Sequence, residues 1–119
     1  ALLTRAVQAA GAVNPPHLAP LAKEDDFPRT EAGLTELLLA AGFTDVHCTT
    51  LQWDHDTDHE EWWSGPAAGV ATIGQIITGQ TTETIADIHR HYLALSAEFT
   101  TPAGRLALPH AALLAYGRA

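Results

Sequence analysis

The segment Thr30 to Trp53, TEAGLTELLLAAGFTDVHCTTLQW, restricts the folds open to this chain more than any other. Leu34, Leu37, Leu38 and Ala41 recur at helical spacing. Thr30 is placed to cap that helix through its hydroxyl, and Glu31 suits the positive first turn. Gly42 suits the left-handed residue that ends a helix. Phe43 then folds back over the last turn as a strand begins. Along that strand Val46, Cys48 and Thr50 take one side and His47, Thr49, Leu51 and Trp53 the other. Bulk on both sides predicts cover on both faces. A helix that feeds a strand this directly is a building unit of α/β architectures, and it needs a sheet to lie on. Only one other segment reads as a strand: Arg105 to Ala119, with Leu106, Leu108, Leu113 and Leu114 as apolar positions and Pro109 bending it or marking an edge. Two strands form at best a hairpin, which is marginal without neighbours.

The rest of the chain reads as helices and connections. Residues 1–13 predict a short helix with Leu2, Leu3, Ala6, Ala9 and Ala10 on one side, ended by Asn14-Pro15-Pro16. From there to Pro28 the pattern is irregular, and a stretch of that length more often covers a site. Asp54 to Trp63 reads as a polar, acidic and aromatic segment. Pro66 suits a first helical residue, opening AAGVATIGQII with Val70, Ile73 and Ile77 as its stripe and Gly79 as its stop. A longer helix begins near Thr81 or Thr82, with Ile85, Ile88, Tyr92, Leu95 and Phe99 on one face. Thr101-Pro102-Ala103-Gly104 predicts a turn.

Composition excludes several function classes. A chain of 119 residues is one domain at most. Its net charge is −8, and between Arg29 and Arg90 there is no Lys or Arg but ten Asp or Glu. Such a surface repels phosphate backbones, so neither nucleic acid nor an anionic membrane is an expected partner. No apolar run is long enough to cross a bilayer and no basic-then-apolar leader opens the chain, which predicts a soluble, cytoplasmic protein. The single cysteine, Cys48, excludes an internal disulfide and reads as a small buried hydrophobe.

WDHDTDHEEWW, Trp53 to Trp63, holds most of the chemistry-bearing residues. His55 and His59 are four apart and on a helix would share a face, so with Asp56, Asp58 or Glu60 they are candidate metal ligands; the alternative is a solvated acidic loop. Trp53, Trp62 and Trp63 either cap the core or wall a substrate pocket. On the long helix His89 lies beside the apolar stripe while His91 points away. Either His89 or His91, and equally His17 within the Pro-rich stretch, is a candidate general base for a hydroxyl or amine, since imidazole titrates near neutrality. His47 and His110 read as strand surface positions. No nucleophile-and-base spacing and no phosphate loop is present.

Phe27-Pro28-Arg29-Thr30 leading into Leu34 to Leu38, then Ala41-Gly42-Phe43-Thr44-Asp45-Val46, the Trp-rich segment, a helical insert, Gly104 to Pro109 and the closing Leu114 to Arg118 together resemble the C-terminal half of a class I S-adenosylmethionine-dependent methyltransferase. The likeness is to the branch that includes quinone-biosynthesis and small-molecule enzymes, and it spans the whole chain. It implies an α/β fold in which residues 1–119 form a single partial domain: the C-terminal portion of a Rossmann-like fold, with several helices and an antiparallel two-strand hairpin made of the last two strands. It further implies a small-molecule acceptor walled by Trp53, Trp62, Trp63 and Tyr92. S-adenosylmethionine would be bound in the complete enzyme by a half that is lacking here. That half is marked in the family by a Gly-x-Gly loop, and the glycines here are never two apart, so no cofactor-binding residue is carried over. The expected partner is the missing N-terminal half or a second copy in a homodimer, and the isolated chain is expected to be inactive. The alternatives are a stand-alone small α+β ligand-binding or dimerisation module, and a metal-binding protein using His55 and His59.

Overall fold

A computed structural model describes residues 1–119. Five α-helices and two strands follow in the order α1 (Leu2–Ala9), α2 (Glu31–Ala40), β1 (Thr44–Thr57), α3 (His59–Ala67), α4 (Ala71–Thr78), α5 (Thr82–Ser96) and β2 (Leu106–Arg118). Short 3-10 turns occupy Pro16–Leu18 and Ala97–Phe99. The architecture is α/β, with β1 and β2 as the whole of one antiparallel sheet. Its register follows from the pairs Thr44 with Arg118, His47 with Tyr116 and Trp53 with His110, which run in opposite directions along the two strands.

The helix-to-strand joint forms as the residues dictate. The Thr30 hydroxyl accepts from the Gly33 amide at 3.0 Å, so the first turn of α2 has one fewer orphan donor. Gly33 itself is required: a Cβ there would collide with the Pro28 carbonyl. Gly42 has φ +96°, and Asp45 follows at φ +51°, a conformation that aspartate tolerates better than most side chains. Thr50 faces α2, its hydroxyl 2.7 Å from a Glu31 carboxylate oxygen.

Two compact units emerge, one of residues 1–19 and 55–108, the other of residues 20–54 and 109–119. The first contains the core: Leu2, Leu3, Ala6, Val7, Ile77, Ile88, Tyr92, Leu106 and Leu108 are all buried in it. Within this unit α1 lies along α5 and α3 packs on α4. The Arg5 guanidinium grips both Glu98 oxygens, at 2.9 and 2.7 Å, and ties α1 to the 3-10 turn that follows α5. The second unit contains α2 and most of the paired strands, and none of the buried apolar residues.

Several local expectations change. The acidic stretch is not a loop: β1 runs on to Thr57 and α3 starts at His59. Asp58 decides the switch, because its carboxylate accepts from the Glu61 amide at 2.8 Å and starts a helix where side-chain polarity suggested a loop. Pro66 therefore does not open a helix but lies in the last turn of α3, where it has no amide to give the helix ladder, and α3 ends one residue later at Ala67. Gly69, at φ +85°, makes the turn into α4, and Gly74 packs so closely on it that a side chain there would strike its backbone. In α1, Gly11 at φ +65° follows the last turn before the prolines are reached, and Val7 is buried where Ala9 was expected. Leu37 and Leu114, expected on apolar faces, are exposed, as are Leu39 and Leu51. Cys48 is a half-buried free thiol. The double-sided cover predicted for β1 is absent over residues 49–56, which are all exposed.

Candidate functional site

Helices α3 and α5 of the first unit bring the chemistry-bearing side chains together. Because the Asp58 cap sets the phase of α3, His59 and Trp63 stand one turn apart on the same face. On α5, His89 and Leu93 are likewise one turn apart, with Tyr92 between them toward the core. The Trp63 ring lies 4.7 Å from the His89 ring at a 45° tilt and stacks on Tyr92 at 5.4 Å. Tyr92 is wholly buried and donates its hydroxyl to the His59 carbonyl at 2.8 Å, pinning the start of α3 to α5. A cleft of about 520 Å³ opens between the two helices, lined by His59, Glu60, Trp63, Ser64, His89 and Leu93.

The electrostatics of this cleft are one-sided. Glu60 is its charged lining residue, and no Lys or Arg borders it. Burial, with the Asp58 carboxylate adding to it, pushes the Tyr92 phenol up to about 12. Tyr92 is thus a neutral donor at physiological pH and supplies no base. The Ser64 hydroxyl is committed to the Glu61 carbonyl at 2.8 Å. What the cleft offers a ligand is an indole face, an aliphatic patch and imidazole nitrogens.

The remaining sequence candidates separate. Trp62 packs on His55, centroids 5.4 Å apart, and supports the core instead of entering the cleft. Trp53 belongs to the other unit, stacked on His110 at 5.5 Å along a sheet-side hollow of about 470 Å³. Tyr92 is behind Trp63, so it forms the floor of the aromatic wall and not its accessible surface. His17 is exposed on a 3-10 turn, outside the cleft. His91 is half-buried on α5 and does not line the cleft either. His55 stands on β1 and His59 opens α3, so the shared helical face predicted for them does not form. No three His, Cys, Asp or Glu side chains group closely enough to hold a metal ion.

No protein-family model, curated protein sequence or solved structure matches this chain. The site therefore stands on its own geometry. Ser64, Glu60 and Leu93 escaped the sequence reading as cleft residues. Their signal was present in part: Leu93 is one turn beyond His89, a relation that becomes informative only once α3 is known to lie opposite.

Proposed function

We propose that this chain is the substrate-side, C-terminal portion of a class I S-adenosylmethionine-dependent methyltransferase that acts on a small molecule in the cytoplasm. One observation carries the reading: the unit that contains α2 and the strand pair has no buried apolar residue, yet it presents Leu37, Leu39, Leu51, Trp53, Leu114 and Tyr116 to solvent. Sheet edges and apolar faces of this extent require cover. A parallel sheet continuing from β2, with its own helices, would provide it. The α2–Gly42–Phe43–β1 joint and the antiparallel return as β2 after a helical excursion support the same reading.

The residues present do not fit the cofactor. Glycines two apart, which would let backbone amides approach its methionine portion, do not occur. The cofactor is accordingly assigned to the N-terminal half, this chain to the acceptor, and the partner to that half or a second copy offering an equivalent edge. Methyl transfer asks alignment and desolvation of the protein more than a nucleophile, which suits a cleft walled by Trp63 and Leu93.

Titration calorimetry of the isolated chain with S-adenosylmethionine should give no heat of binding, and labelled cofactor should transfer no methyl to a panel of small phenols and amines. Turnover by the isolated chain overturns the proposal. So does a coding sequence in which a start codon abuts Ala1, whereas a glycine-rich strand-loop-helix encoded there in frame supports it. A second reading, a stand-alone ligand-binding module, is favoured by the self-contained core of the first unit. That reading requires a monomer in which both units melt in a single transition.

A further inference from the structure

We propose that the outer face of the β1–β2 ribbon is the contact surface of a symmetric homodimer, packed face to face on the same surface of a second copy. Helix α2 lies on the inner face: Thr50 reaches Glu31 there, and a Cβ at Gly117 would press on Val46 and Phe43. The outer face carries His47, Thr49, Leu51 and Trp53 from β1 and His110, Ala112, Leu114 and Tyr116 from β2, all within the second unit. Leu51, Trp53, Leu114 and Tyr116 are 47, 46, 50 and 64% exposed.

Shape selects a second copy as the occupant. Both strands present the same order of side chains on this face: imidazole, small residue, leucine, large aromatic. The strands are antiparallel, with His47 stacked on Tyr116 and Trp53 on His110, so each end of the face has one imidazole and one large ring. A two-fold axis in the contact plane, along the strands or across them, then sets every bulky side chain over a smaller one. The leucines fall over the Thr49 and Ala112 positions of the second copy, and the indole and phenol rings over its imidazoles.

Charge agrees. Two chains of net charge −8 associate most readily where carboxylates are absent. Neither His47 to Trp53 nor His110 to Tyr116 contains a single Asp, Glu, Lys or Arg, so a charged partner finds no counter-charge on this face. Area sets the strength. The four large side chains open roughly 400 Å² on each copy, and with the imidazoles, Thr49 and Ala112 a pair buries about 1,200 Å², the lower end of specific interfaces. A Kd on the order of 10–100 µM follows. The contact gives the second unit the apolar layer it lacks and leaves both strand edges open. It therefore does not rest on the methyltransferase reading.

Sedimentation equilibrium of the full chain from about 1 to about 500 µM, at physiological salt, measures the association. The expected result is a monomer–dimer equilibrium in that range. Leu51→Glu and Leu51→Lys should each weaken it at least ten-fold, because like charges meet near the axis. Mixing the two variants should restore a dimer of one chain of each kind, which also shows that both are folded. Leu37→Glu, on α2 and so away from this face, should leave the Kd unchanged. A chain that is monomeric at the top concentration overturns the proposal, and the methyltransferase reading survives that result, since its cover comes from another half. A dimer that persists in both Leu51 variants, or one that Leu37→Glu dissolves, is joined through strand edges or α2 and overturns it equally.

Discussion

Tyr92 is where one side chain joins the folding core to the candidate site. Its ring is buried beneath Trp63 and its hydroxyl is spent on the His59 carbonyl, so it is a structural pin at the back of the cleft. Burial raises its phenol from an ordinary 10 to about 12. The sign of the consequence follows from proton counting. Between pH 10 and 12 the unfolded chain has released this proton while the folded chain retains it. Stability from this group is therefore fully present below pH 10 and is lost as pH rises through about 12, a total of about 3 kcal/mol. Urea melts of the wild type and of Tyr92→Phe across that range check this, since the variant should lack this part of the alkaline slope. At pH 8 the variant should be about 1 kcal/mol less stable, because the part-buried His59 carbonyl loses its hydroxyl donor. An equal alkaline slope in both proteins refutes the assignment.

At the scale of elements, the turn at Asp58 matters most. It ends β1, caps α3 and sets which way His59 and Trp63 point. Thr57, almost fully buried beside it, keeps its hydroxyl satisfied by a Glu61 carboxylate oxygen at 3.1 Å, so Glu61 serves both the capped turn and the strand end. Asp58→Ala should cost about 1 kcal/mol through the lost cap. The same substitution should also loosen the first turn of α3, seen as faster amide exchange at Glu60 and Glu61. Asp58→Asn, which retains an accepting oxygen, should restore most of both. The cap of α2 was legible in advance from Thr30 and Glu31, because an apolar stripe followed it. That of α3 was not, because the helix it starts has few apolar residues and its neighbours are as polar as any loop.

Across the whole molecule, burial is unevenly shared. All of the buried apolar residues belong to the unit made of residues 1–19 and 55–108. Native-state hydrogen exchange should therefore find protection in α1, α5 and the Leu106–Leu108 end of β2 that survives to higher denaturant than any in α2 or in Thr44–Asp54. Coincident loss of protection in both units contradicts this. A complementary α/β half added in trans should raise protection selectively in the second unit, because that is where the exposed edge and apolar side chains are.

The sequence by itself determined the elements whose signals are local: the helix ending at Gly42, the strand that follows it, the capped helix from Thr82, the terminal strand and the scarcity of strands. Periodicity, caps and left-handed glycines act over a few residues, so one reading frame contains all the information they need. It also identified His89, Trp63 and Tyr92, but only as separate candidates on separate helices. Only the tertiary structure decided that Trp63 meets His89, that Tyr92 lies sealed beneath them, that Trp53 stands in the other unit and that His55 and His59 part company at Asp58. The physical reason is that these relations depend on how α3 settles against α5. That choice is made by the shared core of the first unit and by one hydroxyl reaching a carbonyl 33 residues away in the chain, neither of which any local pattern encodes.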